Sequence, residues 1–557
     1  MANEDNRTNP TDEQRHQLMR QALERDDRLA DYENILSLLS PPRDIYEYAK
    51  PNTLKNNRIG IIGAGLSGLS AAYELRKLGA DITIYEADEN RIGGRILTFY
   101  FDKMNHYFGE LGAMRIPVSH ETTWHYINLF GLKTESLSSP NSNNILYTYK
   151  QRLRRERSGN NIKEILYPLF NLTETERNMS WPELNEYASS TMLKSLTPEL
   201  RTEILKILPQ YSKEYGDITR LSTREVFEFL GLSEGAIELI SAVEPFTSAL
   251  FPVSHDDSMS NEYTLDFLNT YRIQGGMVYL PQAFYQSLTS VQPTEYSGPY
   301  DLLGRVDFRL GNIVNKIEYL PNDNNVRLQL SNNKNEILED SFDYVICTIP
   351  FTTLREVEIN PYFSNSKMQA IKELDYCDAQ KTVFLCRNRF WEENADYGRM
   401  NGGISFTDLP IQSIVYPPDH IVCAKPENCS YLEPGVLLAS YNLNQDSTRL
   451  SNQNEERRFE LIKREVEKVH GLPDYYLNSQ VVSYKTVHWN SQPWARGAFA
   501  CSGPGQKLTF LYQMLQPEYN NHLYLAGEHI STKQGWMQGA LYSGKFTANM
   551  LANNLSK

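Results

Sequence analysis

The sequence predicts an α/β fold built around a Rossmann-like dinucleotide-binding unit, and three observations carry that prediction. The stretch Arg58–Arg95, RIGIIGAGLSGLSAAYELRKLGADITIYEADENRIGGR, brings a strand, a glycine turn, a helix, a second strand and a terminal acid into register. A block from about 155 to 260 reads as mostly helical. Near the end of the chain, Leu523–Met550 runs as a short apolar strand through Gly527-Glu528 into a loop, with a helix from about Gly535.

In the first stretch, Arg58–Ile62 is an apolar run suited to a buried parallel strand. Gly63, Gly65 and Gly68 follow in the spacing G-x-G-x-x-G. Gly63 permits the sharp turn, Gly65 lets backbone approach a pyrophosphate, and Gly68 lets the helix pack on the sheet. That helix, roughly Gly65–Leu78, points its N-terminal N–H groups and positive dipole end at the phosphates. The second strand, Asp81–Tyr85, ends at Glu86, whose carboxylate would accept the hydroxyls of an adenosine ribose. The continuation Arg91–Arg95 (RIGGR) would lay backbone and a cation against the same pyrophosphate.

Length and composition bound the rest. At 557 residues the chain exceeds one core, so two or three domains are expected. A formal charge of −14 leaves no dense basic face and argues against nucleic acid as a partner. The one basic cluster, Lys150–Arg157 (KQRLRRER), reads as a solvated helix face or loop. No run is long and apolar enough to span a membrane, and the polar start MANEDNRTNPTDEQRHQ lacks a signal-peptide core, so the chain as written is expected in the cytoplasm. The cysteines (Cys347, Cys377, Cys386, Cys423, Cys429 and Cys501) show no paired C-x-x-C spacing. No metal site is expected; a bridge between Cys423 and Cys429 is conceivable, with free thiols the preferred reading.

Along the chain, Thr11–Leu38 has the apolar periodicity of a helix, ended by Pro41 and Pro42. Phe108–Pro117 (FGELGAMRIP) sets Gly109, Gly112 and Ala113 where backbone could lie against a flat ring. Within it, Arg115 stands among apolar residues, and a buried guanidinium needs an anion: a bound carboxylate or a structural Asp or Glu. The helical block is read as Trp181–Leu193, Pro198–Leu208, Thr223–Leu230 and Gly235–Leu250, followed by Ser254-His255-Asp256-Asp257 in a polar loop. Gly311–Tyr319 and Val326–Leu330 form a hairpin-like pair, and Asp343–Ile349 closes a parallel strand. Lys381 sits in an alternating strand whose apolar neighbours turn its ammonium inward, which is costly unless it is solvated or paired. Asp375 and Asp378 nearby would favour a cationic substrate or simply lie on the surface. Val436–Tyr441 (VLLASY) is a buried strand whose tyrosine is either core or a ligand-facing hydroxyl.

Taken together, these segments resemble the flavin (FAD) L-amino-acid oxidases of the flavin monoamine oxidase family. GAMRIP resembles their G-x-M-R-[LIF]-P segment, SHDD a loop whose histidine reaches the substrate pocket, and IQGGMVYLP (Ile273–Pro281) the G-G-M-x-x-L-P element. The resemblance implies a glutathione-reductase type FAD-binding domain, a mixed-sheet substrate domain and an inserted helical domain. It assigns 54–98, 264–352 and 498–557 to the first, 20–53, 99–155 and 353–497 to the second, and 156–263 to the third.

FAD would be bound by Gly63, Ala64, Gly65, Ser67, Gly68, Glu86 and Ala87, then by Gly94, Arg95, Gly112, Ala113, Met114 and Arg115. Val314 would meet the adenine, while Gly527, Glu528, Trp536, Met537 and Ala540 complete the C-terminal signature. Glu528 would reach the ribityl or phosphate region. Arg115 and Tyr441 would clamp the substrate's carboxylate, with Gly535 beside it and Trp536 and Phe499 as walls of an aromatic slot. Lys381 would act through a water at flavin N5, and His255 is a second catalytic and substrate-contacting candidate. Ala498 stands where monoamine oxidases carry a flavin-tethering cysteine, so FAD would be non-covalent; Cys501, two residues off, is given no such role. Cys377 occupies an arginine position of the snake-venom enzymes, which leaves the side-chain pocket unassigned.

The implied reaction is oxidative deamination of an L-amino acid to a 2-oxo acid with ammonia and hydrogen peroxide, oxygen being the acceptor and a homodimer or higher oligomer the form. Alternatives are an amino-acid 2-monooxygenase giving the amide, a monoamine or polyamine oxidase, or a binding protein that keeps FAD without turnover.

Overall fold

The computed structural model describes residues 9–137, 142–156, 158–334, 336–417 and 430–555. At its centre is a five-stranded sheet in the order Val306–Leu310, Asp81–Glu86, Arg58–Ile62, Tyr344–Cys347, Leu523–Leu525. Every neighbouring pair in it is parallel, with Ile61 opposite Ile84 on one side and Ile346 on the other. The strand order reverses beside Arg58–Ile62, and the crevice at such a switch point is where α/β sheets bind nucleotides.

The helix after the glycine turn, Leu66–Arg76, is buried along its whole length. It is covered by the last helix, Met537–Leu555, and the two approach until a Cβ on Gly544 would stand 2.1 Å from the Ser67 carbonyl oxygen. Ser70 donates its hydroxyl to the Leu541 carbonyl at 3.2 Å. The buried Glu74 carboxylate takes Lys545 at 3.1 Å and Lys77 at 2.8 Å. The helix that follows the first strand and the final helix therefore form one packed unit.

A second, seven-stranded sheet runs Val481–His488, Ala379–Cys386, Gly435–Leu443, Ser413–Val415, Ile404–Thr407, Ile145–Thr148, Gln151–Arg154. It is mixed: Ile404–Thr407 pairs parallel with Ile145–Thr148 and the other pairs are antiparallel. A four-stranded sheet holds the expected hairpin, Asn312–Leu320 with Asn325–Asn332. Helices supply the region between Asn160 and Tyr263.

Several local expectations are corrected. The N-terminal helix is two, Asp12–Arg25 and Tyr32–Leu39. Asp27 between them turns left-handed at φ 55, because buried Arg28 anchors to Asp26 and to the carbonyls of Glu262 and Tyr263. Gly235–Leu250 is likewise two helices, Glu234–Val243 and Pro245–Ala249, since a proline cannot continue the i to i−4 ladder. The basic cluster lies on a hairpin rather than a helix, and its arginines are structural: Arg152 donates to the Lys468 and Val469 carbonyls, and Arg155 pairs with Glu244; Arg157 lies outside the described residues.

The thiols are corrected too. Cys377 and Cys501, 124 residues apart, form a disulfide with Cα atoms 5.8 Å apart. Cys347 and Cys386 are buried, and Cys423 and Cys429 lie outside the described residues. Asp375 is exposed, whereas Asp378 is buried, its carboxylate accepting from the Asn490 N–H at 3.3 Å and lying 2.7 Å from the His488 ring while its own N–H donates to the Asn444 side-chain oxygen at 3.0 Å. Among the described residues, no helix is long and apolar enough to cross a membrane, and no cluster of three metal-ligating side chains is formed.

Candidate active site

The glycine turn builds the first part of the site. Gly63 has φ +104 and donates its N–H to the Tyr85 carbonyl at 2.7 Å. A Cβ on Gly68 would meet the Gly63 oxygen at 2.1 Å, so only glycine lets helix and turn close. Around Gly65 a Cβ would find nothing within 4 Å. Gly65 caps the helix with no side-chain bond to its N–H groups, and the buried Ser67 hydroxyl has no partner. Open space, free N–H donors at a helix start and an orphaned hydroxyl fit the pyrophosphate of a dinucleotide. Glu86 accepts from the Ala64 and Asp88 N–H groups, both at 2.9 Å, and burial pushes its carboxyl up against those two bonds. Ala87 follows it, and buried Val314 lies in the strand just after Leu310, the register partner of Glu86.

The RIGGR loop folds over this turn. Gly93 donates to the Ala64 carbonyl at 2.9 Å, and a Cβ on Gly94 would sit 3.5 Å from the Gly65 Cα. Ala113 donates to the Arg95 carbonyl at 3.3 Å, and a Cβ on Gly112 would stand 2.1 Å from that oxygen. Arg95 itself points to Glu528 at 2.6 Å.

Glu528 proves to be a hub rather than a free ligand. Its carboxylate accepts from Arg95, from the Ala500 N–H at 3.1 Å and from the Gly535 N–H at 2.9 Å. Three distant segments are thereby pinned by one side chain. Gly527 before it has φ +150, and Gly535 has φ +78 with a would-be Cβ only 3.2 Å from the Phe499 ring. Trp536 follows, donating its indole N–H to Asn261 at 2.9 Å and meeting the His120 ring edge-on at 5.0 Å. Met537 opens the last helix, and Ala540 donates back to the Trp536 carbonyl at 3.4 Å.

The charged centre comes from the second sheet. Lys381 lies directly opposite Tyr441 in the antiparallel pair, which puts both side chains on one face. Its ammonium donates to the Gly112 carbonyl at 2.8 Å, touches the Met114 sulfur at 3.2 Å and sits 4.4 Å from the centre of the Tyr441 ring. Burial pushes Lys381 down to about 7, Arg115 adds to that, and Glu110 opposes it. Buried Glu110 is in turn pushed up to about 7 by desolvation, against bonds from the Met277 N–H at 2.8 Å and the Thr98 hydroxyl at 2.9 Å.

Arg115 keeps some accessible area although it lies deep in the protein. Among the described residues no carboxylate pairs with it, which removes the core salt bridge as its explanation. Burial lowers its pKa and the nearby Tyr441 works the other way. Its guanidinium lies 6.0 Å from the Phe267 ring, which also contacts Trp536 at 5.8 Å. A deep cation with no carboxylate of the described residues beside it has the chemistry to receive a carboxylate.

His255 is not in a polar loop. It begins the helix His255–Tyr263, is wholly buried, and neither ring nitrogen has a partner. Desolvation pushes its imidazole down to about 4, so the ring is neutral at ordinary pH. Among the described residues its ring makes no hydrogen bond. Sequence reasoning missed Glu110, Asn261, His120 and Phe267. Glu110 had a signal, an acid inside the otherwise apolar FGELGAMRIP; the others had none.

Comparison with known proteins agrees with this geometry. Residues 66–552 match the family described as flavin containing amine oxidoreductase. The L-amino-acid oxidase of Sistrurus catenatus edwardsii is 27% identical over 532 residues, covering 94% of this chain and 91% of that protein. The L-amino-acid oxidase of Vipera ammodytes ammodytes is 26% identical over 531 residues, covering 94% and 97%. Wild-type putrescine oxidase bound to putrescine shares the fold at a TM-score of 0.65 and 17% identity, over 88% of this chain and 98% of that one. Cyclohexylamine oxidase from Brevibacterium oxydans IH-35A does so at 0.65 and 16%, over 90% and 100%. Matched along nearly its whole length, the chain belongs to the flavin-containing amine oxidoreductase family.

Proposed function

We propose that this protein is an FAD-dependent oxidase of L-amino acids, yielding a 2-oxo acid, ammonia and hydrogen peroxide. The observation that carries the reading is Arg115, a deep guanidinium with Tyr441 beside it and no carboxylate of the protein to pair with. A simple amine gives such a cation nothing to bind, whereas an α-amino acid supplies its missing anion. The relatives named L-amino-acid oxidases support the same substrate class. In this reading 54–98, 264–352 and 498–557 hold FAD, 20–53, 99–155 and 353–497 hold the substrate, and 156–263 wall the approach.

FAD, when bound, supplies the acceptor for the Cα hydride and the route of electrons to oxygen. Ala498 offers no thiol for a covalent link, and Cys501 is engaged with Cys377, which supports non-covalent binding. The protein's own part is orientation and electrostatics. Arg115 and Tyr441 hold the carboxylate, which fixes where the Cα–H points. Phe499, packed on Gly535, and Trp536, held by Asn261, set the width of the slot around it. Lys381, titrating near neutrality, can hold or release a proton at Nζ within the physiological range. His255 is enclosed and is assigned no step.

The test is a peroxide assay on a panel of L-amino acids and on the amines that lack only the carboxylate. Amino acids are expected to turn over and the amines not. Arg115→Met should lower kcat/KM for the best amino acid by ~10²-fold or more per bound flavin. Equal turnover of the matched amines, or near-normal turnover by the variant, would overturn the reading; amide and carbon dioxide as products would make it an oxidative decarboxylase.

A further inference from the structure

The disulfide stands beside the reacting slot, and the surrounding backbone gives it something to do. Phe499 belongs to a strand of two residues, Phe499–Ala500, paired with another of two, Tyr376–Cys377. The register sets Cys377 opposite Phe499 and Tyr376 opposite Ala500. Two flanking bonds extend it, Ala498 N–H to the Cys377 carbonyl at 2.9 Å and Cys501 N–H to the Asp375 carbonyl at 3.1 Å. Such a pair is far shorter than the strands that stand on their own.

Residues two apart on a strand share a face, as do directly opposed residues. Phe499, Cys501 and Cys377 therefore lie on one face, with the sulfur bridge next to the ring. The bridge is buried, at 1% and 4% exposure, in a small apolar cluster with Val253, against which Leu250 and Phe499 pack. Beyond the ring is Gly535, 3.2 Å from it by its would-be Cβ. The ring is thus held between the bridge with its apolar neighbours and the glycine that precedes Trp536.

We propose that Cys377 and Cys501 are positioning residues for the reaction: their bond clamps the short strand that carries Phe499 and so fixes one wall of the substrate slot. The proposal rests on the amino-acid oxidase reading in taking Phe499 as that wall. Neither sulfur touches substrate or cofactor. With the bond absent, the short pairing with Tyr376–Cys377, the Ala500 N–H bond to Glu528 and a small apolar cluster are left to hold the ring, and the wall drifts relative to Gly535.

The experiment compares the holoenzyme with Cys377→Ser, Cys501→Ser and Phe499→Ala, each measured for flavin content, KM and kcat with the best amino acid. Mass spectrometry of a non-reducing digest first identifies the peptide pair joined through Cys377 and Cys501 in the parent enzyme. Each serine variant is expected to raise KM by about fivefold or more while kcat falls less than about threefold. Both variants and the double variant should give the same KM, since either loses the whole clamp. Parent enzyme treated with a phosphine reductant should acquire that raised KM and recover on reoxidation, which guards against a variant that folds poorly. A thermal midpoint that drops with KM unchanged makes the bond merely structural and overturns the proposal, as does the absence of the linked peptide. If Phe499→Ala itself leaves KM and kcat untouched, the slot assignment has failed; if Phe499→Ala raises KM and the serine variants do not, only the clamp has failed.

Discussion

At the scale of single residues, the site is a problem of charge in a dry place. Arg115 and Lys381 are two buried cations, the first adding to the burial that pushes the lysine down, with Glu110 as the nearby counter-charge to the lysine. Burial and Arg115 push Lys381 down to about 7, and Glu110 is the group that pulls it up. Replacing Glu110 by Gln removes the pull and leaves the push, so the Lys381 titration moves further below its present position. The expected outcome is an inflection in the pH profile of kcat/KM for oxygen that shifts to lower pH in Glu110→Gln. Lys381→Met should abolish that inflection, and an inflection that stays put in Glu110→Gln would show that the carboxylate does not face the lysine electrostatically. Arg115 stood out in the sequence as a cation among apolar residues, with a structural acid and a bound carboxylate both open as its partner until the resemblance favoured the second. Lys381 was legible from alternation alone, and its register partner Tyr441 was legible only through resemblance, because strand pairing over 60 residues leaves no local trace. His255 was misplaced for the opposite reason: its flanking Ser and Asp residues look like a loop, yet Ser254 is a helix N-cap and the histidine turns inward.

At the scale of elements, the strand–turn–helix at 58–76 was readable because each glycine has its own local requirement, and the structure separates two of them. A Cβ at Gly68 collides with the Gly63 oxygen at 2.1 Å, whereas one at Gly65 enters space with nothing within 4 Å. Gly68→Ala is therefore expected to damage the fold itself, with a lowered thermal midpoint in the flavin-free protein. Gly65→Ala should leave the flavin-free midpoint near that of the parent and weaken flavin binding by ~10-fold or more, because the methyl occupies the phosphate approach. Equilibrium dialysis against FAD and a thermal scan on each apoprotein separate the two; equal damage to both properties by both variants would sink the distinction. What the sequence did not disclose at this scale is tertiary in origin. The break at Asp27 follows from Arg28 reaching the carbonyls of Glu262 and Tyr263, some 235 residues away. The Cys377–Cys501 bridge is set by a strand pair whose members are two residues long, too short to register as periodicity.

At the scale of the whole molecule, the chain's beginning and end meet around the nucleotide crevice. The turn at Gly63–Gly68, the loop at Arg91–Arg95, the strand carrying Val314, the hub Glu528 and the last helix all converge there, and the five-stranded sheet closes only when Leu523–Leu525 adds to its edge. The order of these segments was visible from the sequence, since each carries its own motif; their joining through Glu528 was not, because a carboxylate that accepts from Arg95, Ala500 and Gly535 looks the same in sequence as one that meets a cofactor. A ligand that bridges segments from both ends of the chain binds the folded state and has no site on the unfolded one. Its binding must then add to stability by mass action, ~1.4 kcal/mol for every tenfold rise in free FAD above the dissociation constant. In a chain of this size such an increment corresponds to a rise in the thermal midpoint of about 1–3 °C per decade. Thermal scans of the protein at increasing free FAD should therefore show a midpoint that climbs with the logarithm of FAD concentration, and Gly65→Ala should climb only at correspondingly higher concentrations. A midpoint indifferent to FAD would mean that the crevice and the fold are not coupled, and that the convergence of the two chain ends holds the protein together without regard to what lies between them.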